Sequence, residues 1–303
     1  MITSFQDLKR RLTGKPLRLA VVAAAEEAVW SAVREAARAG WIQPLLITVK
    51  DQESVPPGDW GPAWPDCRET ATFQEAAGLG ADLLQRGEAD LIMKGAIPSA
   101  DFLRPLLAKE RDLLVPGKLL SHVGAFALPG KDRLTLLSDA GLAVLPDLRA
   151  KETILENAAA VARALGYRPP KVAVLSALEV VNPKIPSSVE ADALKQLGRE
   201  GRFGDALVSG PLALDNALCP DAVATKGLTA DPVAGAADVL LLPELVSGNI
   251  LFKSFSLIAG YPAAGVVVGA RMPVIMTSRA DKPETKLNSI ALARYLAEWG
   301  ENS

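Results

Sequence analysis

Short apolar runs alternate along this chain with longer segments of helical periodicity, and this alternation constrains the fold more than any other feature. Most of the runs are nearly uninterrupted by polar residues, which is typical of strands covered on both faces. The predicted strands are Leu17–Ala23, Pro44–Val49, Ala89–Met93, Gly124–Leu128, Arg133–Ser138, Lys171–Ser176, Asp205–Ser209, Asp238–Leu242, Ala264–Val268 and Pro273–Thr277. The predicted helices are Glu26–Ala39, Glu69–Gln85, Ser99–Lys109, Lys151–Leu165, Ser188–Arg199, Asn249–Ala259 and Glu284–Trp299. Such alternation indicates an α/β fold with a largely parallel sheet.

One break in the pattern predicts two domains. The segment Ser138–Lys151 leads from a strand pair into a long helix, and strand-helix alternation restarts at Lys171. We therefore expect one domain up to residue 148 and a second from 149 to 271, while the strand and helix after 271 fit either domain. The segment Val55–Pro65, with its Pro, Gly and two Trp residues, predicts a surface loop.

Composition narrows the classes of function. The net charge is −2 and the Lys and Arg residues are scattered, so we expect no nucleic-acid partner. No apolar run reaches the roughly 18–20 residues that span a bilayer, so we expect no membrane association. The segment Met1–Arg11 is polar and lacks the apolar core of a signal peptide. With Cys67 and Cys219 far apart, free thiols in a reducing cytoplasm are expected.

The single histidine, His122, excludes much of the usual catalytic chemistry. A zinc site built from several histidines cannot form, cysteine ligands are too few, and we expect no metal. A Ser-His-Asp triad would have to include His122. Neither the P-loop pattern nor a dinucleotide-binding glycine motif follows a predicted strand, so ATP or nicotinamide enzymes of the usual kind are disfavoured. The chemistry is expected to depend on Arg, Lys, carboxylate, hydroxyl and backbone N–H groups.

The sequence Thr277-Ser278-Arg279 ends a predicted strand just before a predicted helix. A helix N-terminus presents N–H groups to an anion, Ser278 adds a hydroxyl, and Arg279 adds a planar cation. Asp281 suits the N-cap, and Glu284 stands three residues later, as in a capping box. The residues alone are equally compatible with a phosphate site and with a capped helix carrying a surface arginine.

A second candidate anion site follows the strand that ends at Met93. Lys94 ends the run, and Arg104 lies in the next predicted helix. Open α/β sheets bind ligands beyond the carboxyl ends of their strands, so both cations could face an anion. The alternative is that both are solvated surface residues. Ser121 and His122 precede a further strand, where a lone histidine is more often a packing residue than a catalyst.

Glycine- and proline-rich turns follow strands in the second half. They include the segment from Ser209 to Asn216, with Asp215, and the segment from Pro243 to Asn249, which Lys253 follows. Glycine lets backbone approach a ligand closely, although each turn by itself fits an ordinary strand-helix connection.

Taken in order, these segments resemble the phosphate acetyl/butyryltransferases, and the butyryl branch more closely. The resemblance runs from about residue 90 to 293. It is carried by Lys94-Gly95 through Phe102-Leu-Arg104, Leu120-Ser-His-Val123, Val172-Ala-Val-Leu-Ser176, Gly210-Pro-Leu-Ala-Leu-Asp215, Val233-Ala-Gly235, Ser247-Gly-Asn249 with Lys253, and Thr277-Ser-Arg279.

The resemblance implies a two-domain α/β fold like that of isocitrate/isopropylmalate dehydrogenases, with largely parallel sheets and the active site in an interdomain cleft. In that fold the C-terminal segment returns to the first domain, which gives domains 1–148 plus 272–303 and 149–271. It also implies a homodimer or higher homo-oligomer. The implied reaction is reversible transfer of a short acyl group, butyryl or acetyl, between coenzyme A and inorganic phosphate. Coenzyme A is then a substrate, and no cofactor is expected.

The same resemblance implies roles for residues. Arg279, Arg104 and Lys94 would bind phosphate, and Ser278 would donate to the oxyanion or to the phosphate. The residues expected to contact coenzyme A or substrate are Ser121, His122, Asp215, Asn249 and Lys253. The acetyl branch has an aspartate, proposed as the thiol base, where this chain has Thr285. Glu284 is our candidate, either as that base or as the capping-box residue.

A non-catalytic relative that binds coenzyme A or an acyl phosphate is disfavoured by the presence of Lys94, Arg104, Ser278 and Arg279. Two alternative reactions remain open. One is a strict phosphate acetyltransferase, because pocket size decides acyl length. The other is a metal- and NAD-dependent decarboxylating dehydrogenase of the same fold, which the absence of an Asp-x-x-x-Asp pattern disfavours.

Overall fold

In the computed structural model, which describes residues 1–52, 58–60 and 65–301, parallel strands and helices form two compact units. The terminal unit comprises Phe5–Leu120 and Pro262–Ser303, and the central unit comprises Met1–Ser4 and Ser121–Tyr261. The strands are β1 Leu17–Val22, β2 Ile42–Val49, β3 Asp66–Thr70, β4 Leu91–Lys94, β5 Ser121–Phe126, β6 Thr135–Ser138, β7 Lys171–Leu175, β8 Leu207–Leu212, β9 Val239–Leu241, β10 Ala263–Val268 and β11 Val274–Ile275.

Helices connect most of these strands. They are α1 Phe5–Arg10, α2 Glu27–Arg38, α3 Phe73–Gln85, α4 Ser99–Leu106, α5 Leu148–Ala164, α6 Pro186–Arg199, α7 Leu214–Leu218, α8 Pro220–Thr225, α9 Leu245–Lys253 and α10 Pro283–Glu301. A 3-10 turn occupies Lys109–Arg111, and a π-helical turn, Ser254–Ile258, extends α9. The α/β class with largely parallel sheets is confirmed.

In the terminal unit the strands lie in the order β3-β2-β1-β4-β11-β10. All neighbours pair in parallel except β10 and β11, which are antiparallel. Val22 pairs with Lys94 and Met93 pairs with Ile275, so the carboxyl ends of β1, β4 and β11 lie side by side. This edge of the sheet carries the candidate anion site.

Helix α10 packs against α2 and β10. Its interior Arg294, only 1% exposed, donates to the carbonyls of Thr13 and Lys15 at 2.6 and 3.1 Å. The guanidinium therefore fastens the helix to the segment before β1.

In the central unit the order is β5-β6-β9-β7-β8. Strands β5 and β6 are antiparallel, and the other neighbours are parallel. Helix α5 packs on β5, β6 and β9, and α6 packs on β7 and β8. The core consists of the apolar faces that the runs predicted.

The units begin and end at different residues from the predicted domains. Strands β5 and β6, which we expected in the first domain, belong to the central unit because β6 pairs in parallel with β9. Strand β10, expected in the second domain, belongs to the terminal unit because it pairs with β11.

Individual elements also differ from their predictions. Strand β3 was not predicted because its sequence, Asp-Cys-Arg-Glu-Thr, is polar. Helix α3 begins at Phe73 rather than Glu69, since the Thr72 hydroxyl accepts the amide N–H of Glu75. Helix α9 begins at Leu245 rather than Asn249, because the Glu244 carboxylate caps it. Most of the predicted loop Val55–Pro65 lies outside the described residues.

Candidate functional site

The end of β4 places a buried amine at the sheet edge. Lys94 is 6% exposed, and its Nζ donates to the carbonyls of Gly95 and Ile97 at 3.2 and 3.0 Å. Gly95 touches the end of β1 so closely that an added Cβ would stand 2.2 Å from the Ala23 carbonyl oxygen. Only glycine fits there, and the close approach fixes the turn that holds Lys94.

The end of β11 leads into the Ser278-Arg279 turn. The Ser278 N–H donates to the Asp281 carboxylate at 2.8 Å, and the Ser278 carbonyl accepts from Lys286 Nζ at 2.7 Å. Lys286 Nζ also lies 3.4 Å from the Thr277 hydroxyl. The Ser278 hydroxyl accepts the N–H of Ala280 at 3.3 Å and stays on the exposed side of the turn.

Arg279 extends over the neighbouring strand ends. Its Nη2 lies 3.5 Å from the carbonyl of Ala96, after β4, and its Nε lies 3.8 Å from Oε1 of Glu26, after β1. The Arg279 side chain is 61% exposed, so it remains open to a ligand. Residues from three adjacent strand ends therefore converge. We call this set (Glu26, Lys94, Ser278, Arg279, Asp281 and Lys286) the strand-end cluster.

The electrostatics of the strand-end cluster favour an anion. Burial, and then the positive charge of Arg279, lower the pKa of Lys94 to about 8. Burial also lowers the pKa of Lys286, against the opposing effect of Asp281 and Glu26. With Lys94 protonated, three cations face two carboxylates, a net charge of +1. A bound anion would compensate that charge and the desolvation of the amines.

Two predicted site residues of the terminal unit lie outside these contacts. Arg104 is exposed on α4 and pairs with Asp101 at 3.4 Å. Within the described residues, no hydrogen bond or ion pair joins Arg104 to the strand-end cluster. Glu284 is exposed in the first turn of α10.

The predicted N-cap is wrong. Helix α10 begins at Pro283, and the Lys282 carbonyl accepts the N–H of Lys286 at 3.3 Å, so Asp281 lies one residue before the N-cap. Its carboxylate binds back to the Ser278 amide because Pro283 ends the turn and supplies no N–H.

In the central unit, two predicted residues contact Asp139 and Ala140. The backbone N–H of His122 donates to the Asp139 carboxylate at 2.8 Å, and its ring packs edge-on against Phe252. The Asn249 side chain donates to the Ala140 carbonyl at 3.3 Å. At neighbouring Gly248, an added Cβ would lie 2.4 Å from the Asp139 carbonyl oxygen, so the start of α9 fits tightly against this turn.

The other predicted residues of the central unit are placed differently. Ser121 is fully buried, and its hydroxyl accepts from Asn157 at 2.9 Å. Asp215 pairs with Lys226 at 3.3 Å, and the Asn216 amide, with Lys226, lowers its pKa. Lys253 is exposed one turn beyond Asn249 on α9.

Sequence reasoning missed Glu26 and Lys286. Glu26 was interpreted as the first residue of a helix, although its position just after a parallel strand is a signal for the ligand-binding edge. Lys286 falls between buried Thr285 and Leu287, and a lysine inside the buried stripe of a helix was the available signal.

Among the described residues, no three His, Cys, Asp or Glu side chains are grouped closely enough to hold a metal ion.

No helix in the described part of the chain is both long and apolar enough to cross a membrane.

The family model described as "Phosphate acetyl/butaryl transferase" matches residues 66–294. A phosphate butyryltransferase from Clostridium acetobutylicum is 38% identical over 300 residues, 98% of this chain and 99% of the relative. A phosphate acetyltransferase from Thermotoga maritima is also 38% identical, over 96% of this chain and 99% of the relative.

Among solved structures, a branched-chain phosphotransacylase from Enterococcus faecalis is 31% identical and superposes with a TM-score of 0.82. The match covers 93% of this chain and 99% of that chain. A β-decarboxylating dehydrogenase from Thermococcus kodakarensis, 15% identical, superposes with a TM-score of 0.50 over 90% of this chain and 81% of that chain. The predicted fold class, the two-domain isocitrate/isopropylmalate dehydrogenase-like fold, is therefore confirmed.

Proposed function

Because the chain belongs to the phosphate acetyl/butyryltransferase family, we propose that it transfers a short acyl group reversibly between coenzyme A and inorganic phosphate. The products in one direction are an acyl phosphate and free coenzyme A. The single observation that supports this best is the strand-end cluster, where Lys94, Ser278 and Arg279 offer cations and a hydroxyl to an anion.

In the proposed reaction, Lys94 and Arg279 bind inorganic phosphate and align one of its oxygens with the thioester. That oxygen attacks the carbonyl carbon, a C–O bond forms, and negative charge moves to the carbonyl oxygen. The Ser278 hydroxyl stabilises this oxyanion or the phosphate. The C–S bond then breaks, and coenzyme A leaves as a thiolate that takes a proton. No acyl-enzyme is formed, and no metal or cofactor is required.

Arg104 and Glu284 keep their proposed roles, phosphate contact and thiol base respectively. The exposed Arg104 side chain, held by Asp101 alone among the described contacts, is free to change rotamer. Glu284 matters only in the direction that consumes coenzyme A, where a thiol of pKa about 8.5 is already partly ionised at neutral pH.

For coenzyme A we propose contacts with Ser121, His122, Asp215, Asn249 and Lys253. Lys253 supports this proposal best, since an exposed ammonium suits the phosphates of coenzyme A. Ser121, which is buried, would also support the strand that presents His122.

We propose butyryl as the acyl group, with acetyl as the alternative. The alternative is kept because a phosphate butyryltransferase and a phosphate acetyltransferase are equally similar to the chain, at 38% identity each. One methylene changes binding by only about 1–3 kcal/mol, so the range of substrates is broad.

The test is release of coenzyme A thiol from acetyl-, propionyl-, butyryl- and isobutyryl-CoA, with and without phosphate, in the presence of EDTA. We expect phosphate-dependent release that survives EDTA, fastest with a four-carbon acyl group. No release from any of the four would overturn the proposal, and NAD reduction that needs a metal would support the dehydrogenase alternative.

We further propose a homodimer, or a higher homo-oligomer, in the cytoplasm. Apolar side chains of the central unit support assembly, since Val144, Leu145, Val246 and Ile250 are 61–81% exposed. The exposed thiols of Cys67 and Cys219 suit a reducing compartment. Light scattering should give a multiple of 31.9 kDa, and cell fractionation should recover the activity with the soluble proteins.

A further inference from the structure

Lys286 is a buried lysine that the sequence resemblance did not assign. It is 1% exposed on α10, although lysines are almost never fully buried unless they are paired. Burying an ammonium is unfavourable, and the lowered pKa of Lys286 reflects this. A residue kept at such a position has a specific set of contacts to explain it.

Those contacts converge on one residue of the strand-end cluster. The ammonium donates to the Ser278 carbonyl at 2.7 Å, while the Asp281 carboxylate accepts the Ser278 N–H at 2.8 Å. Both backbone polar groups of Ser278 are thus held by side chains of opposite charge. Charge-assisted hydrogen bonds are about twice as strong as neutral ones, so this pair of contacts fixes the turn firmly.

The turn determines where two side chains of the proposed reaction point. Peptide planes on both sides of the Ser278 Cα are fixed, which sets the direction of its Cα–Cβ bond and so the position from which the hydroxyl extends. The following residue is Arg279, whose guanidinium extends over Ala96. A turn free to rotate would move both groups by more than the small displacement that oriented catalysis tolerates.

We propose that Lys286 is the positioning residue that holds the Ser278-Arg279 turn in its phosphate-binding conformation. The inference rests on the proposed function, because it assigns Lys286 a role in phosphate affinity. Lys286 acts through Ser278 and Arg279 and does not itself contact substrate.

Arg294 provides a matched control. It lies on the same helix, is equally buried, and also donates to backbone carbonyls, those of Thr13 and Lys15. Its contacts lie away from the strand-end cluster. If Lys286 has only a structural role, substitutions of Lys286 and Arg294 should have similar effects on stability and on KM for phosphate. If Lys286 has a positioning role, only its substitution should change KM for phosphate.

The experiment compares Lys286→Met, Lys286→Gln and Lys286→Arg with Arg294→Met in the full-length protein. For each variant, KM for phosphate, KM for butyryl-CoA, kcat and the thermal midpoint are measured. We expect Lys286→Met to raise KM for phosphate about tenfold while KM for butyryl-CoA changes less than about twofold, as for the loss of one charge-assisted contact. Lys286→Gln should be intermediate, since it keeps a neutral donor. Arg294→Met should lower the thermal midpoint without changing KM for phosphate.

Two results would overturn the inference. One is a folded Lys286→Met whose KM for phosphate equals that of the wild type. The other is a Lys286→Met whose two KM values and stability change in the same way as those of Arg294→Met. If Lys286→Met does not fold, Lys286→Gln decides by the same criterion. Lys286→Arg keeps a charged donor, so its phosphate KM should lie closer to that of the wild type than the phosphate KM of Lys286→Met does. An inactive wild type would instead reject the proposed function. In that case the positioning role is still tested by thermal unfolding with sulfate. Sulfate should raise the thermal midpoint of the wild type and should not raise that of Lys286→Gln.

Discussion

The Nε of Arg279 lies 3.8 Å from Oε1 of Glu26, so a carboxylate from the loop after β1 faces the proposed phosphate-binding guanidinium. The contact is partly exposed and therefore weak. Phosphate and Glu26 would therefore compete for Arg279. A phosphate that binds to Arg279 would have to displace the Glu26 carboxylate from it.

Replacing Glu26 with Gln removes this competitor. At pH 7 we expect KM for phosphate to fall about twofold to fivefold, the range an exposed ion pair can account for. Because Glu26 also raises the pKa of Lys94, the advantage should shrink as pH rises. Steady-state kinetics at pH 7 and 8.5 measure both effects. A higher phosphate KM at pH 7 would show that Glu26 supports the site.

Arg279→Ala should abolish most activity while the protein remains folded. Loss of a charged donor that acts on the developing charge costs about 10²–10³ in rate. The side chain is 61% exposed and carries little packing, so the circular dichroism spectrum should not change. Arg271→Ala is the control, because Arg271 is also exposed, lies in the same unit and pairs with Asp112. Near-normal turnover in Arg279→Ala would refute its assigned role.

Glu284→Gln tests the thiol base. We expect kcat in the direction that consumes coenzyme A to fall about tenfold at pH 7, and less at pH 9, where the thiol ionises without help. The thermal midpoint should stay unchanged, since Glu284 is exposed and Asp281 lies one residue before the N-cap of α10. An unchanged rate at both pH values would mean that the reaction needs no base at this position.

The sequence predicted the strand ends better than the contacts among them. Apolar runs located β1, β4 and β11, and the rule that ligands bind beyond parallel strand ends selected Lys94 and Ser278-Arg279. Sequence alone could not pair the strands, because the pairing of β6 with β9 joins distant segments. The antiparallel pairing of consecutive β10 and β11 leaves no mark in their apolar runs. For this reason the predicted domain limits differ from those of the units.

Some contacts inside the strand-end cluster could not be predicted from the sequence for the same reason, since they join segments that are far apart along the chain. Glu26 approaches Arg279 only because β1 and β11 flank β4. Lys286 reaches Ser278 across the turn that precedes α10, and because this helix begins at Pro283, Asp281 lies outside the N-cap. The local sequence predicts a capping box formed by Asp281 and Glu284. In the structure, Asp281 instead accepts the backbone N–H of Ser278, and Lys286 donates to the Ser278 carbonyl.

The lowered pKa of Lys94 predicts a pH dependence of anion binding. The charged groups that act on this amine are Arg279 and Lys286, which lower its pKa, and Glu26 and Asp281, which raise it. Only protonated Lys94 attracts an anion, so affinity should be highest below pH 8 and should weaken as pH rises through about 8. Sulfate is the suitable probe because it does not titrate in this range. Its inhibition constant should rise across this interval in the wild type and stay flat in Lys94→Met. A flat wild-type profile would remove Lys94 from the anion site.

Gly95→Ala should damage the site through the backbone. The added Cβ would stand 2.2 Å from the Ala23 carbonyl oxygen, and backbone there cannot move without separating β1 from the turn after β4. Forced contact of this kind costs about 1–3 kcal/mol or more. We expect a lower thermal midpoint together with a higher phosphate KM, because the turn carries Lys94 and the carbonyls that hold it.

Gly78→Ala is the matched control for that variant. Gly78 lies inside α3, and an added Cβ meets nothing within 4 Å. Alanine in a helix interior stabilises by about 0.5–1 kcal/mol relative to glycine, so this variant should melt at a higher temperature with unchanged kinetics. Thermal unfolding and phosphate titrations of both variants provide the comparison. Wild-type stability and a wild-type phosphate KM in Gly95→Ala would contradict this prediction. Lys94 would then be placed at the sheet edge by something other than the close packing of Gly95 on the end of β1.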